Sequence, residues 1–515
     1  MGGSTGTGGT TASALVPSAL ARLTDEQYRN TISDLFGPGL AIPTLDVDPR
    51  EEGFKSVAMR KATISPRAAE LYEDAAIALT EQAFADAARR AKLVPCTPAG
   101  TTDRACARQF FQTFGKRAWR RPMTDGELDL FADLATTASM RLGGFWQGLA
   151  LATAGVLQSP KFLFRIELGE PDPERPGRLR YTGHEMATRL SYLLWNSTPD
   201  DELLETAARG DLQRRDGITA TVTRLLASPR AGQGAGRFVE ELFELHRLDG
   251  LDKDRATFPG FSPALAEAMA EETRRVIARA VFQDRTGLSR LLLSRDTFVN
   301  GLLATHYGLA VTPGNAFVPV TLPVDSERQG ILGQGSFLTA NATLAETSPT
   351  QRGKFVRTRL LCQEVPAPPA NVDTTLPSDP AGVVTTRRQK LERHRESDSC
   401  RSCHALIDSI GLTFETFDGI GAHRDKEHGL DIDPSGALDG VAYDDLPGLL
   451  QALAGREDLG PCLARQLVRF SAGASSKTGE AGFIQTAKPT ANSAILTLFE
   501  HITTSDVFRY AEVSP

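Results

Sequence analysis

The residues with the clearest chemistry are Cys400-Arg401-Ser402-Cys403-His404. Two thiols at this spacing reach the two vinyl groups of one porphyrin and form thioethers, and the next imidazole then sits beneath the iron. The run predicts one covalent haem c, attached at Cys400 and Cys403, with His404 as the proximal iron ligand. Structural zinc needs four ligands, usually from two cysteine pairs, and the chain has no second C-x-x-C. A thioredoxin-type dithiol wants a strand before it and a helix opening at it, whereas residues 388–399 (RQKLERHRESDS) are polar and charged.

The ligand opposite His404 decides whether such an iron carries electrons or does chemistry. All six methionines precede the motif, the last being Met269, so a downstream methionine cannot close the haem. The distal candidates are histidines. His423 and His428, in GAHRDKEHG, are near enough in sequence to fold back over the haem. His394 precedes Cys400 by six residues and suits the proximal side better, while His306, in THYGL, would have to approach from another domain. Each has a plain alternative as a surface or hydrogen-bonded histidine. With none bound, the iron is five-coordinate and open, the geometry of a peroxidase or oxygenase.

Four cysteines remain. Cys96 and Cys106 enclose a short Gly/Thr loop and suit a local staple, which leaves Cys362 and Cys462 to tie the segment before a proline-rich stretch to a C-terminal helix. Four cysteines allow three pairings, and buried free thiols are the alternative. Disulfides and covalent haem both belong to an oxidising compartment, so the chain is expected to be periplasmic or at the cell surface. The opening MGGSTGTGGT is Gly/Ser/Thr linker with no export signal in it. It suits the stub of a trimmed lipoprotein, with a lipid anchor upstream. Asp431, Asp433 and Asp439 sketch half of a calcium loop, but position twelve is Ala442, so an EF-hand is rejected. A polar turn and a calcium beside the haem are the two readings left.

Composition narrows the rest. The 515 residues carry a formal charge of −7, with 41% hydrophobic and 23% charged residues. That is ordinary for a globular protein and offers no basic surface for nucleic acid. No apolar run is long enough to span a bilayer. The elements that must position the motif read as helices. Capping boxes stand at Thr24/Gln27, Thr124/Glu127 and Thr182/Glu185, and N-cap plus proline starts at Ser65-Pro66, Thr198-Pro199 and Ser262-Pro263. One-faced periodicity runs over 65–90, 144–158, 217–227, 236–247, 264–283 and 456–471. The best strand-like run is 316–324. The fold class is mostly α: several packed helical domains, little strand, and a small haem c segment near the C-terminus.

Several blocks together resemble the large exported multidomain proteins of planctomycetes and myxobacteria, described as serial domains of unknown function with a cytochrome-like segment. The blocks are LTDEQYRNTISDLFG, RRPMTDGEL with the region from Cys96, LQSPKFLFRIE and RLSYLLWNSTPDDELL. They continue with DTFVNGLLATHYGL, ILGQGSFLTAN, TSPTQRGKFVRTRLLC, ERHRESDSCRSCHALIDSIGLTFETFDGIGAHR and CLARQLVRFSAG, in that order from about Leu20 to the C-terminus. The resemblance implies an exported, mainly helical protein with haem on Cys400, Cys403 and His404. The family pattern after the motif is carried by Gly411, Phe414, Glu415, Phe417, Asp418 and Arg424, with Thr416 where asparagine is common. Arg352, in the TSPTQRG block, suits a haem propionate as well as it suits a structural salt bridge. The expected domains are 1–18 (linker), 19–62, 63–143 (with Cys96 and Cys106), 144–312, 313–440 (haem domain) and 441–515. The expected function is a haem-dependent oxidoreductase or electron-transfer protein with a redox-partner protein or a small-molecule substrate. An open-site haem enzyme and an envelope binding protein with structural or no haem are the alternatives.

Overall fold

The computed structural model describes residues 15–311, 314–366, 379, 383–396 and 398–512. Among them helices dominate and no strand exceeds four residues, as the helical periodicity requires. The start signals act as their chemistry predicts. Thr24, Thr124 and Thr182 each accept from the third helical amide, and Gln27, Glu127 and Glu185 bond back to the cap amide. Two amides that the first turn leaves without helical acceptors are thereby satisfied in each helix. Ser65 and Ser262 cap Pro66–Ala85 and Pro263–Ala278. Two expectations shift. At Thr198-Pro199 the helix starts later: Asp200 is the cap, its carboxylate accepting from the Leu203 amide at 2.8 Å ahead of Asp201–Ala208. The run expected over 65–90 breaks at Asp86, which leaves the helical region and caps Ala87–Leu93.

The chain divides into two compact units. The first comprises Met1–Ala235, Leu467–Thr486 and Phe499–Pro515. Its core lies among Pro66–Ala85, Arg104–Ala118, Asp125–Leu142 and Phe145–Gln158, where Phe110, Phe111, Phe114, Trp119 and Phe131 are buried. The Cys96–Cys106 disulfide belongs to this unit. Val16–Pro17, inside the stretch expected to be linker, runs parallel to Tyr510–Glu512, which pairs antiparallel with Arg178–Arg180. Glu167, in the strand Phe164–Glu167, is 1% exposed and pairs with Arg189, with Arg60 at 3.2 Å and with Arg165 at 3.6 Å. Burial opposes its charge, but the surrounding guanidiniums outweigh burial and hold the carboxyl below its usual range.

The second unit comprises Gly236–Gln466 and Ala487–Leu498. The strand-like run 316–324 supplies Val318–Thr321, antiparallel to Asp296–Val299. The Cys362–Cys462 disulfide closes a loop of 100-residue separation. Behind the hairpin, the Glu272 carboxyl is fully buried and accepts from the Thr297 and Tyr307 hydroxyls, both at 2.6 Å. Arg328 stacks on the Tyr307 ring at 3.8 Å but gives its protons to the Gly333 and Gly421 carbonyls. Glu272 therefore has hydroxyl donors and no ion-pair partner, and burial pushes its carboxyl up to about 7.

Two outcomes follow. The chain-entropy relation assigns roughly 3 kcal/mol to the short disulfide loop and roughly 5 kcal/mol to the long one. Chemical denaturation should therefore show Cys362→Ser/Cys462→Ser more destabilised than Cys96→Ser/Cys106→Ser; equal losses contradict it. Glu272 binds its proton more tightly folded than unfolded, so the unfolded chain holds fewer protons between about pH 4.5 and about 7. Stability should fall as pH rises through that window, by roughly 3 kcal/mol in all. Glu272→Gln should remove most of that slope in urea titrations at pH 5 and pH 8, and an unchanged slope contradicts the assignment.

Candidate functional site

Asp398–Gly411 is one helix, so positions three and four apart share a face. Cys400, Cys403, His404 and Ile407 all line one cavity of about 430 Å³. Leu391 and His394 of Arg387–His394 line it too, as do Pro349 of Pro349–Phe355 and the Val365-Pro366 segment. Two glycines set the approach of the cavity's helices. A Cβ at Gly353 would stand 2.0 Å from the Ile407 carbonyl, and one at Gly411 would stand 1.9 Å from that of Pro349. Any side chain at either position would force the two helices apart.

Cys400 and Cys403 lie outside both disulfides, the first buried and the second partly exposed, with the Cys403 Sγ 3.5 Å from the Pro366 carbonyl. The His404 Nδ1 lies 3.0 and 3.2 Å from the two oxygens of Asp408, which is fully buried. A carboxylate there accepts the Nδ1 proton and leaves the Nε2 lone pair for a ligand, while fixing the ring's orientation. Arg395 stands 3.9 Å behind the same carboxylate. Two thiols and one oriented imidazole on one helix face, in a largely apolar cavity, can anchor a flat cofactor covalently at two points and bind its metal at a third.

The histidine candidates separate. His394 lines the cavity, and its ring packs edge to face on His404 with centroids 4.8 Å apart. At that separation the two rings touch and leave no room for a planar cofactor between them. His306 donates from Nε2 to the Ile420 carbonyl at 2.8 Å, and burial holds its pKa below its usual range. His423 is 38% exposed, beside Glu327 and Asp425. His428 is exposed, at a positive-φ turn. None of these three lines the cavity.

Arg352 does not serve the cavity either. It is fully buried, and its guanidinium donates to the carbonyls of Leu338, Phe414, Phe417 and Asp418 and pairs with Glu415 at 3.4 Å. Glu415 also binds Arg424 at 2.9 Å and the Thr347 hydroxyl at 2.7 Å. The residues that carried the family pattern thus build a buried knot behind the cavity. Phe414 and Phe417 are fully buried, and the Asp418 carboxylate accepts the Ile420 and Ala422 amides. Of the two structural options at Arg352, the salt bridge is the one formed.

The calcium expectation is overturned. Asp431 pairs with Lys426, Asp433 with Arg388, and Asp439 with Arg357 and Arg456. The carboxylates face cations rather than one another, and among the described residues no three His, Cys, Asp or Glu side chains converge on a metal position. Sequence reasoning missed Arg387, which lines the cavity and pairs with Glu346 at 2.9 Å. Its one signal was positional. Arginine opens the helix Arg387–His394, where the helix dipole disfavours a cation.

Fold and site together describe a mainly helical, two-disulfide protein whose C-x-x-C-H helix faces a cavity. Four family models match the chain in series. Residues 21–85 match PSD3, protein of unknown function (DUF1587), and residues 106–167 match PSD5, protein of unknown function (DUF1595). Residues 181–309 match PSD4, protein of unknown function (DUF1592), and residues 328–427, which contain the motif, match PSCyt3, protein of unknown function (DUF1588). The chain therefore carries a serial arrangement of domains of unknown function, as the resemblance implied. No curated protein and no solved structure matches it. No helix among the described residues is long and apolar enough to cross a membrane.

Asp408→Ala should release His404 from its Nδ1-protonated form. With histidine labelled by ¹⁵N, the ring-nitrogen shifts of His404 above its titration should move toward the Nε2-protonated tautomer. Unchanged shifts would show that another group orients the ring.

Proposed function

We propose that the chain is an extracytoplasmic haem c protein of the oxidoreductase or electron-transfer class. The observation that carries this reading is the placement of Cys400, Cys403 and His404 on one helix face lining one cavity. The donor set fits the group: two thiols for two thioether bonds, and an imidazole whose Nδ1 is engaged by Asp408. When bound, the haem supplies one-electron exchange between Fe(III) and Fe(II). The chain's own contributions are distinct. Cys400 and Cys403 would hold the macrocycle, His404 would ligate its iron, Asp408 orients that ring, and Val365, Leu391 and Ile407 give the cavity apolar wall. The family matched over 328–427 has "Cyt" in its name, which supports a cytochrome segment within residues 313–440. Two disulfides suit an oxidising compartment. The remaining domains would form a body that binds a redox partner or a substrate.

A second reading, the open-site haem enzyme, draws on one observation. Of the four distal candidates only His394 reaches the cavity, and it lies against His404. Without a ligand from that set, a bound haem would offer an open position to peroxide or oxygen.

The test is expression with export and cytochrome maturation machinery, followed by a haem stain on a denaturing gel and a reduced-minus-oxidised spectrum. Haem that survives denaturation, and is lost in Cys400→Ser/Cys403→Ser, is the expected result. A ferric spectrum that shifts on adding peroxide or azide selects the open-site enzyme over the carrier. Wild-type protein without covalent haem under these conditions overturns both and leaves an envelope binding protein.

A further inference from the structure

The cavity has a cation whose hydrogen bonding is incomplete. Arg387 is 9% exposed and lines the same cavity as Cys400, Cys403 and His404. Its Nη2 pairs with Glu346 at 2.9 Å, but its Nε is buried and has no hydrogen-bond partner. A guanidinium at the cavity wall whose ionic partner is an exposed carboxylate has donors that a carboxylate inside the cavity can take.

The root of this side chain is fixed. The Arg387 amide donates to the Glu427 carboxylate at 2.6 Å, and Thr386 and Gln389 close a capping box around the helix start. The side chain's ionic partner, by contrast, is loosely held. Glu346 has a side chain 60% exposed and loses little by returning to water. Neither Arg352, which donates to backbone carbonyls, nor Arg388, which donates to the Asp433 and Ser435 carbonyls, lines the cavity. Lys354, the second cation of the lining, is exposed and stays hydrated.

We infer that Arg387 binds the propionate carboxylates of the haem, its planar fork taking a carboxylate in place of Glu346; this rests on the haem reading above. A guanidinium suits a carboxylate because two parallel N–H bonds match its two oxygens. At Arg387 itself one carboxylate takes the place of another. Arg387 is thus a positioning residue for the cofactor. The attraction also holds the propionate ionised.

The test uses covalently loaded protein and reads midpoint potential from pH 5 to pH 8 in wild type, Arg387→Ala, Arg387→Lys and Arg388→Ala. Wild type and Arg388→Ala should be nearly flat and superimposable. Arg387→Ala should lie lower at pH 8 and climb as pH falls, because an uncompensated propionate takes up a proton within the range. Arg387→Lys, which keeps the charge and loses the fork, should fall between them, and it serves alone if the alanine variant does not fold. Glu346→Gln should follow wild type, since the haem carboxylate has replaced Glu346. Loaded Arg387 variants with the wild-type profile overturn the inference while leaving the haem reading standing. A wild-type protein without haem overturns both.

Discussion

A buried guanidinium must be given acceptors, and the candidate site is organised around how Arg352 gets them. Its protons go to carbonyls of Leu338, Phe414, Phe417 and Asp418. Those atoms belong to the end of one helix and to an irregular turn after the motif helix, two elements that no regular ladder joins. Burial pushes the Arg352 pKa down to about 10, and Glu415 opposes that shift. A charge held this way is poor evidence of net stability, but removing it would strand five acceptors in a dry interior. The knot fixes the floor against which Gly353 and Gly411 let two helices close.

The helices were legible because their signals are local. A threonine with Gln or Glu three residues on satisfies two amides wherever it stands, and all three such boxes cap helices. The motif was legible for the same reason, since five consecutive residues contain both anchors and the ligand. Less legible was whatever depends on long-range competition. Thr198 lost its cap to Asp200 because a carboxylate accepts more strongly at the positive end of a helix. Val16–Pro17 is strand only because Tyr510–Glu512 lies beside it, nearly the whole sequence away.

The two arginines show the same limit at the site. Arg352 sits in a block that suggested function, and Arg387 directly precedes the charged lead-in of the motif, outside every candidate drawn from the sequence. Burial inverted the two. Arg352 is surrounded by carbonyls that the sequence places more than sixty residues away, except Leu338. Arg387 comes to the cavity because Glu427, forty residues on, anchors its amide. Type and spacing identify groups able to do chemistry, whereas access to a ligand depends on which acceptors the fold has already brought near.

The thiols carry an implication for how the protein is made. Cys362 pairs with Cys462, and the two motif cysteines lie between them in sequence. A chain that oxidises as it emerges from its N-terminus would offer Cys362 two wrong partners before its right one arrives. Pairing neighbours in order of appearance would join Cys362 to Cys400 and leave Cys403 for Cys462. The native pattern therefore depends on timing: the motif thiols must be occupied or kept reduced until residue 462 emerges, or a mispaired bond must be reshuffled. On the haem proposal, cofactor attachment would compete with disulfide formation for that one pair of sulfurs during the same interval.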